Sequence, residues 1–188
     1  MTLDGETLKL AAPFFVIATE NPIETAGTFP LPEAQLDRFM MKISMGFPTF
    51  AQELEIMDRY ISESPYAALS TVMTTQELIT MQEWVKGVHI GQEVREYLLH
   101  IVEATRKNAK LKLGVSTRGT LAFMRACQSL AAIRGRNYVI PEDIKYLAPF
   151  VLEHRLVLAG GYLRTAEQKA IMDSILSSVE VPTENFVS

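Results

Sequence analysis

Residues 14–18, Phe14-Phe15-Val16-Ile17-Ala18, form an unbroken apolar run that stops abruptly at Thr19-Glu20-Asn21-Pro22. A run without alternation is the pattern of a strand covered on both faces, which predicts a parallel sheet flanked by helices. Ligands of open α/β sheets bind beyond the carboxyl ends of the strands, and Asn21 falls at such an end. Pro22 biases Asn21 toward extended backbone, which would carry the strand direction on and project the amide outward. Asn21 has a second reading as a turn cap, because Asn-Pro initiates turns. A turn-rich loop leads to Pro32-Glu33-Ala34-Gln35-Leu36-Asp37-Arg38-Phe39. Here Pro32 near a helix start and Glu33 in the first turn predict a short helix with Arg38 at its end. In that position Asp37-Arg38 has a plain reading, neutralisation of the terminal carbonyls. Met41, Ile43 and Met45 then alternate as in a strand, and Met40, Met41 and Met45 are expected to pack in the sheet.

Ahead of the apolar run, residues 1–10 read as two short strands around Asp4-Gly5, a favoured hairpin turn. Behind it, Gly46-Phe47-Pro48 marks a boundary, and the pattern becomes helical and stays so. The expected division is residues 1–47, an α/β piece, and residues 48–188, a helical bundle. Thr49-x-x-Gln52 and Thr74-x-x-Glu77 are capping boxes. The first is followed by Phe50, Leu54, Met57 and Ile61 on one face, the second by Leu78, Met81 and Val85, with Gly87 as a stop. Residues 62–72 read as a loop. Within 92–107, Val94, Tyr97, Leu98, Ile101 and Val102 recur at helical spacing. Ser116 caps an apolar helix running through Arg134 and ended by Gly135. Pro141-Glu142-Asp143 opens another, and Thr165-x-x-Gln168 opens a last one using Ile171, Ile175 and Leu176.

Arg118 stands out on physical grounds. It falls in the first turn of the Ser116-capped helix, where the helix dipole disfavours a cation. Free N–H groups and a guanidinium in one place suggest an anion between them, and Gly119 would leave room for it to approach. The plain alternative is a solvated arginine whose stem covers the helix end. The basic set Arg106, Lys107, Lys110 and Lys112 reads as a solvated helix end. Cys127 reads as core, and His89, His100 and His154 as structural or surface residues without metal-ligand spacing.

Composition removes several function classes. The net charge of −4 argues against a nucleic-acid partner. No apolar run approaches a membrane span, and acidic residues in the first ten positions do not suit a secretory signal. A single cysteine forbids an internal disulfide and suits a cytoplasmic protein.

The segments ATENP and GTFPLPEAQLDRF resemble the second half of the ATPase core of the MoxR family, within the AAA+ ATPases. Residues 114–119, Gly-Val-Ser-Thr-Arg-Gly, are similar to the sensor 2 motif of the lid, with Thr117 where that pattern often carries proline. The resemblance implies a fold of the last strands of a P-loop AAA+ core followed by an all-α lid. It implies that Asn21 is the sensor 1 residue, that Arg38 is the arginine finger reaching a neighbouring subunit's nucleotide, and that Arg118 contacts the phosphates. It implies ATP and magnesium as cofactors, a ring, commonly a hexamer, and chaperone-like remodelling or assembly of complexes and metal cofactors as the output.

The chain has no G-x-x-x-x-G-K-[ST] segment and no apolar strand ending in Asp-Glu. These are the motifs by which P-loop enzymes hold phosphates and magnesium. The expectation is therefore a C-terminal portion that neither binds ATP tightly nor hydrolyses it alone. The rival reading is a non-enzymatic helical interaction module derived from such an ATPase, with a nucleic-acid-binding helical domain a weaker third.

Overall fold

The structure is a computed structural model, and it describes residues 2–3, 5–7, 9–20, 31–62, 66, 69–160 and 165–183. Backbone contacts divide the chain into two compact units, residues 1–17 with 43–81 and residues 18–42 with 82–188. The chain is mostly helical, with two small antiparallel sheets among the described residues.

In the first unit, β1 (Thr2–Leu3) pairs antiparallel with β2 (Glu6–Thr7), Thr2 opposite Thr7 and Leu3 opposite Glu6. Gly5 turns the chain between them with φ of 86°, a conformation that favours glycine. Helix α2 (Phe50–Ser62) begins at the expected capping box. The Thr49 N–H donates to Gln52 Oε1 at 2.8 Å and the Gln52 N–H to Thr49 Oγ1 at 3.4 Å. Helix α3 (Thr75–Val85) repeats the device, with the Thr74 N–H donating to Glu77 at 2.6 Å and the Glu77 N–H to Thr74 Oγ1 at 3.2 Å. The bond from the Thr74 N–H holds the Glu77 carboxyl below its ordinary value.

Two expectations fail in this part of the chain. Residues 14–18 lie in no strand, and Phe14, Phe15, Val16 and Ile17 are exposed. Residues 41–45 lie in no strand either; Ile43, Met40 and Met45 are exposed, and only Met41 packs against a core. The physical reason is the same for both. A strand exists through a ladder of backbone bonds with a neighbour, and neither segment forms such a ladder with any described residue. The apolar positions of α2 lie on a helix as expected, but Phe50, Leu54, Met57 and Ile61 are exposed.

The second unit contains the principal core. It is built from α4 (Gln92–Lys107), α5 (Thr117–Ile133), α6 (Pro141–Leu152) and α7 (Thr165–Ser178). The predicted face of α4 is buried: Val94, Tyr97, Leu98, Ile101 and Val102. Phe123, Cys127, Ile144, Val151, Leu152, Met172 and Ile175 meet it from the other helices. Burial pushes the Cys127 thiol well above its ordinary value, in keeping with a core role. Helix α5 ends as predicted at Gly135, with φ of 74°. The Arg136 N–H returns to the Ala131 carbonyl at 2.9 Å and the Gly135 N–H to Ala132 at 2.9 Å, the paired bonds of a Schellman motif.

Asp143, fully buried in the first turn of α6, accepts from the Ile140 N–H at 3.1 Å, Arg134 at 3.0 Å and Arg136 at 2.6 Å. It fixes the α5–α6 connection. The chain leaves α6 through a 3₁₀ turn (Glu153–Arg155) into β4 (Val157–Leu158), which pairs antiparallel with β3 (Leu111–Leu113). Residues 31–42 belong to this same unit: Met41 packs on its core, and the Lys42 N–H donates to the Phe150 carbonyl at 2.8 Å.

Candidate functional site

The site lies within the second unit, where α1 (Glu33–Leu36), the start of α5, the β3–β4 pair and the 3₁₀ turn enclose a cleft of about 290 Å³. Leu113, Leu156 and Leu158 give it an apolar wall; Asp37, Ser116, Arg155 and Gln168 bring polar groups into it. Pro32 precedes α1 as its N-cap, so this helix starts where the sequence predicts. It lasts one turn and ends at Asp37, whose N–H bonds the Glu33 carbonyl at 3.0 Å.

Ser116 caps α5 as expected: its hydroxyl oxygen accepts from the Gly119 N–H at 3.1 Å. The same hydroxyl lies 3.0 Å from both carboxylate oxygens of Asp37 and donates to that carboxylate. Arg118 Nη1 lies 3.8 Å from Asp37 Oδ2, with 62% of its side chain exposed. The physical reading of Arg118 asked for an anion at the start of α5, and within this chain Asp37 supplies one.

Arg155 holds Asp37 in place. Its side chain is 2% exposed, and its Nε donates to Asp37 Oδ1 at 3.1 Å. Its two terminal nitrogens donate to the carbonyls of Val151, Asp37, Phe39 and Met40. A buried guanidinium with every nitrogen occupied forms a rigid support. Burial pulls its affinity for the proton down, and the Asp37 carboxylate opposes that pull. Beside it, burial first and then the Arg155 charge lower the His154 pKa from 6.5 to about 4. The ring is therefore neutral near neutral pH. Its Nε2 sits 2.7 Å from Arg155 Nη1 and 3.3 Å from the Phe39 carbonyl, while Nδ1 is buried without a partner among the described residues.

Two glycines are required by space. A Cβ at Gly114 would stand 2.6 Å from the Arg106 backbone nitrogen. A Cβ at Gly119 would stand 2.7 Å from Val115 Cγ1 and 2.8 Å from Arg155 Cδ. Gly119 thus makes room for the Arg155 stem, where the sequence suggested an approaching ligand. Arg106 is exposed, as the reading of a solvated basic set expects, and has a further role: its Nε donates to the Val115 carbonyl at 2.9 Å and holds the loop entering α5. Lys107 keeps the plain role, paired with Glu103 one turn back at 2.9 Å.

Of the three residues singled out in the sequence, Asn21 lies outside the described residues. Arg38 follows α1; its side chain is exposed and meets no partner among the described residues. Arg118 is at the cleft with Asp37. Sequence reasoning missed Asp37 as an organising group, along with Arg155 and His154. The demand for an anion near Arg118 was the one signal for Asp37. Nothing local marks Arg155, which meets its partner 118 positions away.

The described residues contain no group of three or more His, Cys, Asp or Glu that could hold a metal ion. Among them, no helix is long and apolar enough to cross a membrane.

Comparison with known proteins places the chain among relatives. Residues 1–41 match the model of the ATPase family associated with various cellular activities, and residues 103–178 match the AAA lid domain. The uncharacterized protein YeaC of Bacillus subtilis is 44% identical over 185 residues, which cover 98% of this chain and 58% of YeaC. Chaperone MoxR1 of Mycobacterium tuberculosis is 37% identical over 197 residues, covering 100% of this chain and 52% of that protein. A solved structure of a Cytophaga hutchinsonii protein assigned as an ATPase superposes with a TM-score of 0.85 at 33% identity, over 97% of this chain and 58% of that one. The chain spans about half the length of the curated relatives it matches. With an AAA-family match at one end, a lid match around the Ser116–Arg118 turn and MoxR proteins among its relatives, the chain belongs to the MoxR family of AAA+ ATPases.

Proposed function

We propose that this chain is the C-terminal portion of a MoxR-type ATPase that couples ATP binding and hydrolysis to chaperone-like remodelling or assembly in the cytoplasm. Residues 1–47 are the end of the ATPase core and residues 48–188 the helical lid. The whole protein works as a ring, commonly a hexamer in this family. Asn21 orients the attacking water or meets the γ-phosphate. Arg38 enters the neighbouring subunit's site, and Arg118 contacts the phosphates held by its own subunit. Phosphoryl transfer needs mainly positioning and charge stabilisation, and arginine fingers in GTPases contribute about 10³–10⁵ in rate.

The observation that carries this reading is Arg118. It stands exposed in the first turn of a long capped helix, with a carboxylate already drawn to it. A phosphate suits the same surroundings. Magnesium does not: the described residues offer no ligand cluster for it. Its ligands, and the loop that cradles the phosphates, are proposed to lie in parts of the whole protein outside this chain.

The test is paired. Arg118→Ala should weaken nucleotide binding or turnover in the whole protein and leave the melting temperature of this chain nearly unchanged. Removing a cation from a helix start should favour the helix by up to about 1 kcal/mol, and losing the long contact to Asp37 offsets part of that. Unchanged turnover, or a large drop in melting temperature, would mean that Arg118 is structural. A helical interaction module would also be indifferent to Arg38→Ala, which should abolish turnover while nucleotide still binds.

A further inference from the structure

Arg38 presents an unusual combination of a free side chain on a fastened backbone. Its side chain is exposed and without a partner among the described residues. The carbonyls of Asp37, Phe39 and Met40, on either side of it, all accept from the buried Arg155 guanidinium. His154 faces the Phe39 carbonyl at 3.3 Å, and the Lys42 N–H bonds Phe150 at 2.8 Å. Carbonyls alone do not compensate a buried cation. Asp37 is the carboxylate that does so, at 3.1 Å, and Ser116 ties the same carboxylate to the start of α5. Gly119 keeps open the space through which the Arg155 stem passes.

We propose that Asp37 is a positioning residue that, through Arg155 and Ser116, fastens the Arg38 segment to the helical bundle, so that Arg38 moves with the lid. The proposal rests on the reading of Arg38 as an arginine finger and Arg118 as a phosphate contact. It adds a route between them. Asp37 touches the turn that bears Arg118 and immediately precedes Arg38, so a shift of the lid about one subunit's nucleotide is carried to the arginine offered to its neighbour. The coupling is mechanical and runs through a short rigid chain of contacts.

The experiment has two arms. In this chain, amide hydrogen exchange is compared between the native protein and Asp37→Asn, which keeps the side-chain shape and removes the charge. Exchange at residues 38–42 should rise by about tenfold or more, since charge-assisted bonds are lost, while α4, α6 and α7 stay protected. Unchanged exchange at 38–42 would overturn the fastening. General loss of helix in Asp37→Asn would make the pair a support of the whole bundle and would also overturn the proposal.

In the whole protein, Asp37→Asn should lower turnover by about tenfold to a hundredfold, the scale of a misplaced group, without weakening nucleotide binding. Combining it with Arg38→Ala should add nothing, because both act through one arginine. A further loss in the double variant would overturn that route. Unchanged turnover in Arg38→Ala would instead sink the finger reading, and with it the functional half of this proposal. The exchange arm needs no nucleotide and would still report on the fastening by itself.

Discussion

Replacing Gly119 by alanine sets two physical effects of opposite sign against each other, and the structure says which wins. In an ordinary helix the change is favourable, because alanine loses less backbone entropy than glycine, by about 0.5–1 kcal/mol. At Gly119 the added methyl meets Val115 Cγ1 at 2.7 Å and Arg155 Cδ at 2.8 Å, inside any normal carbon contact. Neither neighbour yields cheaply. Val115 is 1% exposed, and Arg155 is anchored by Asp37 and four backbone carbonyls. Forcing a methyl into packed surroundings costs about 1–3 kcal/mol, so the net effect is a loss of about 0.5–2 kcal/mol once the helix gain is subtracted. For a chain of this size that lowers the melting temperature by roughly 1–8 °C. Urea unfolding followed by far-ultraviolet circular dichroism gives the free energy, and a thermal scan checks it. A stabilised Gly119→Ala variant would refute the reasoning, because the close approach of Arg155 to the start of α5 would then be absent. Gly114→Ala is the internal comparison. Its obstacle is the Arg106 and Thr105 backbone at 2.6–2.7 Å, which has no rotamer to retreat to, so it should cost more.

Asp143→Ala should destabilise by about 2–4 kcal/mol in urea unfolding, since a fully buried carboxylate leaves two arginines and the Ile140 N–H without their partner. The loss stays moderate because Arg134 is 41% exposed and can turn to water; a loss under about 0.5 kcal/mol would show that the network adds nothing net. The depressed His154 pKa gives a pH dependence of definite sign. Between about 4 and 6.5 the unfolded chain binds a proton that the folded chain does not, so stability falls as pH drops through that window. At about 1.4 kcal/mol per pH unit the full loss is about 3 kcal/mol, complete near the folded value. Arg155 and Lys42 face the ring and oppose its protonation, while Asp37 and the Phe39 carbonyl favour it. Unfolding free energies of the native chain and His154→Gln, taken at several pH values, should differ by an amount that changes across this window. A constant difference would exclude the histidine as its source.

What the sequence made legible was local. The capping boxes at Thr49 and Thr74, the Ser116 cap, Pro141 at the start of α6 and Gly135 past the end of α5 act within a few residues of themselves. Such signals survive whatever the rest of the chain does. The apolar face of α4 was legible for the same reason, as a periodicity within one helix. The hairpin at Gly5, whose partner strand is local, formed as expected, whereas Phe14–Ala18 and Met41–Met45 satisfy the strand pattern but form no ladder with a described neighbour, and non-local pairing cannot be read from one segment.

The site falls between these cases. Arg118 was noticed because a cation at a helix start is out of place without an anion, and that physics was sound. The unexpected part was the source of the anion, a carboxylate 79 residues from Ser116 in the chain, held by an arginine that no local pattern marks. This has a consequence for the chemistry. On the proposed reading, a phosphate reaching Arg118 would arrive beside a fixed negative charge, so Arg118 would have to neutralise two anions or turn from one to the other. With 62% of its side chain exposed and 3.8 Å to Asp37, it is free to turn, whereas Arg155 is not. The two arginines around Asp37 therefore divide their work by burial: the buried one fixes the carboxylate, and the exposed one can exchange it for a ligand.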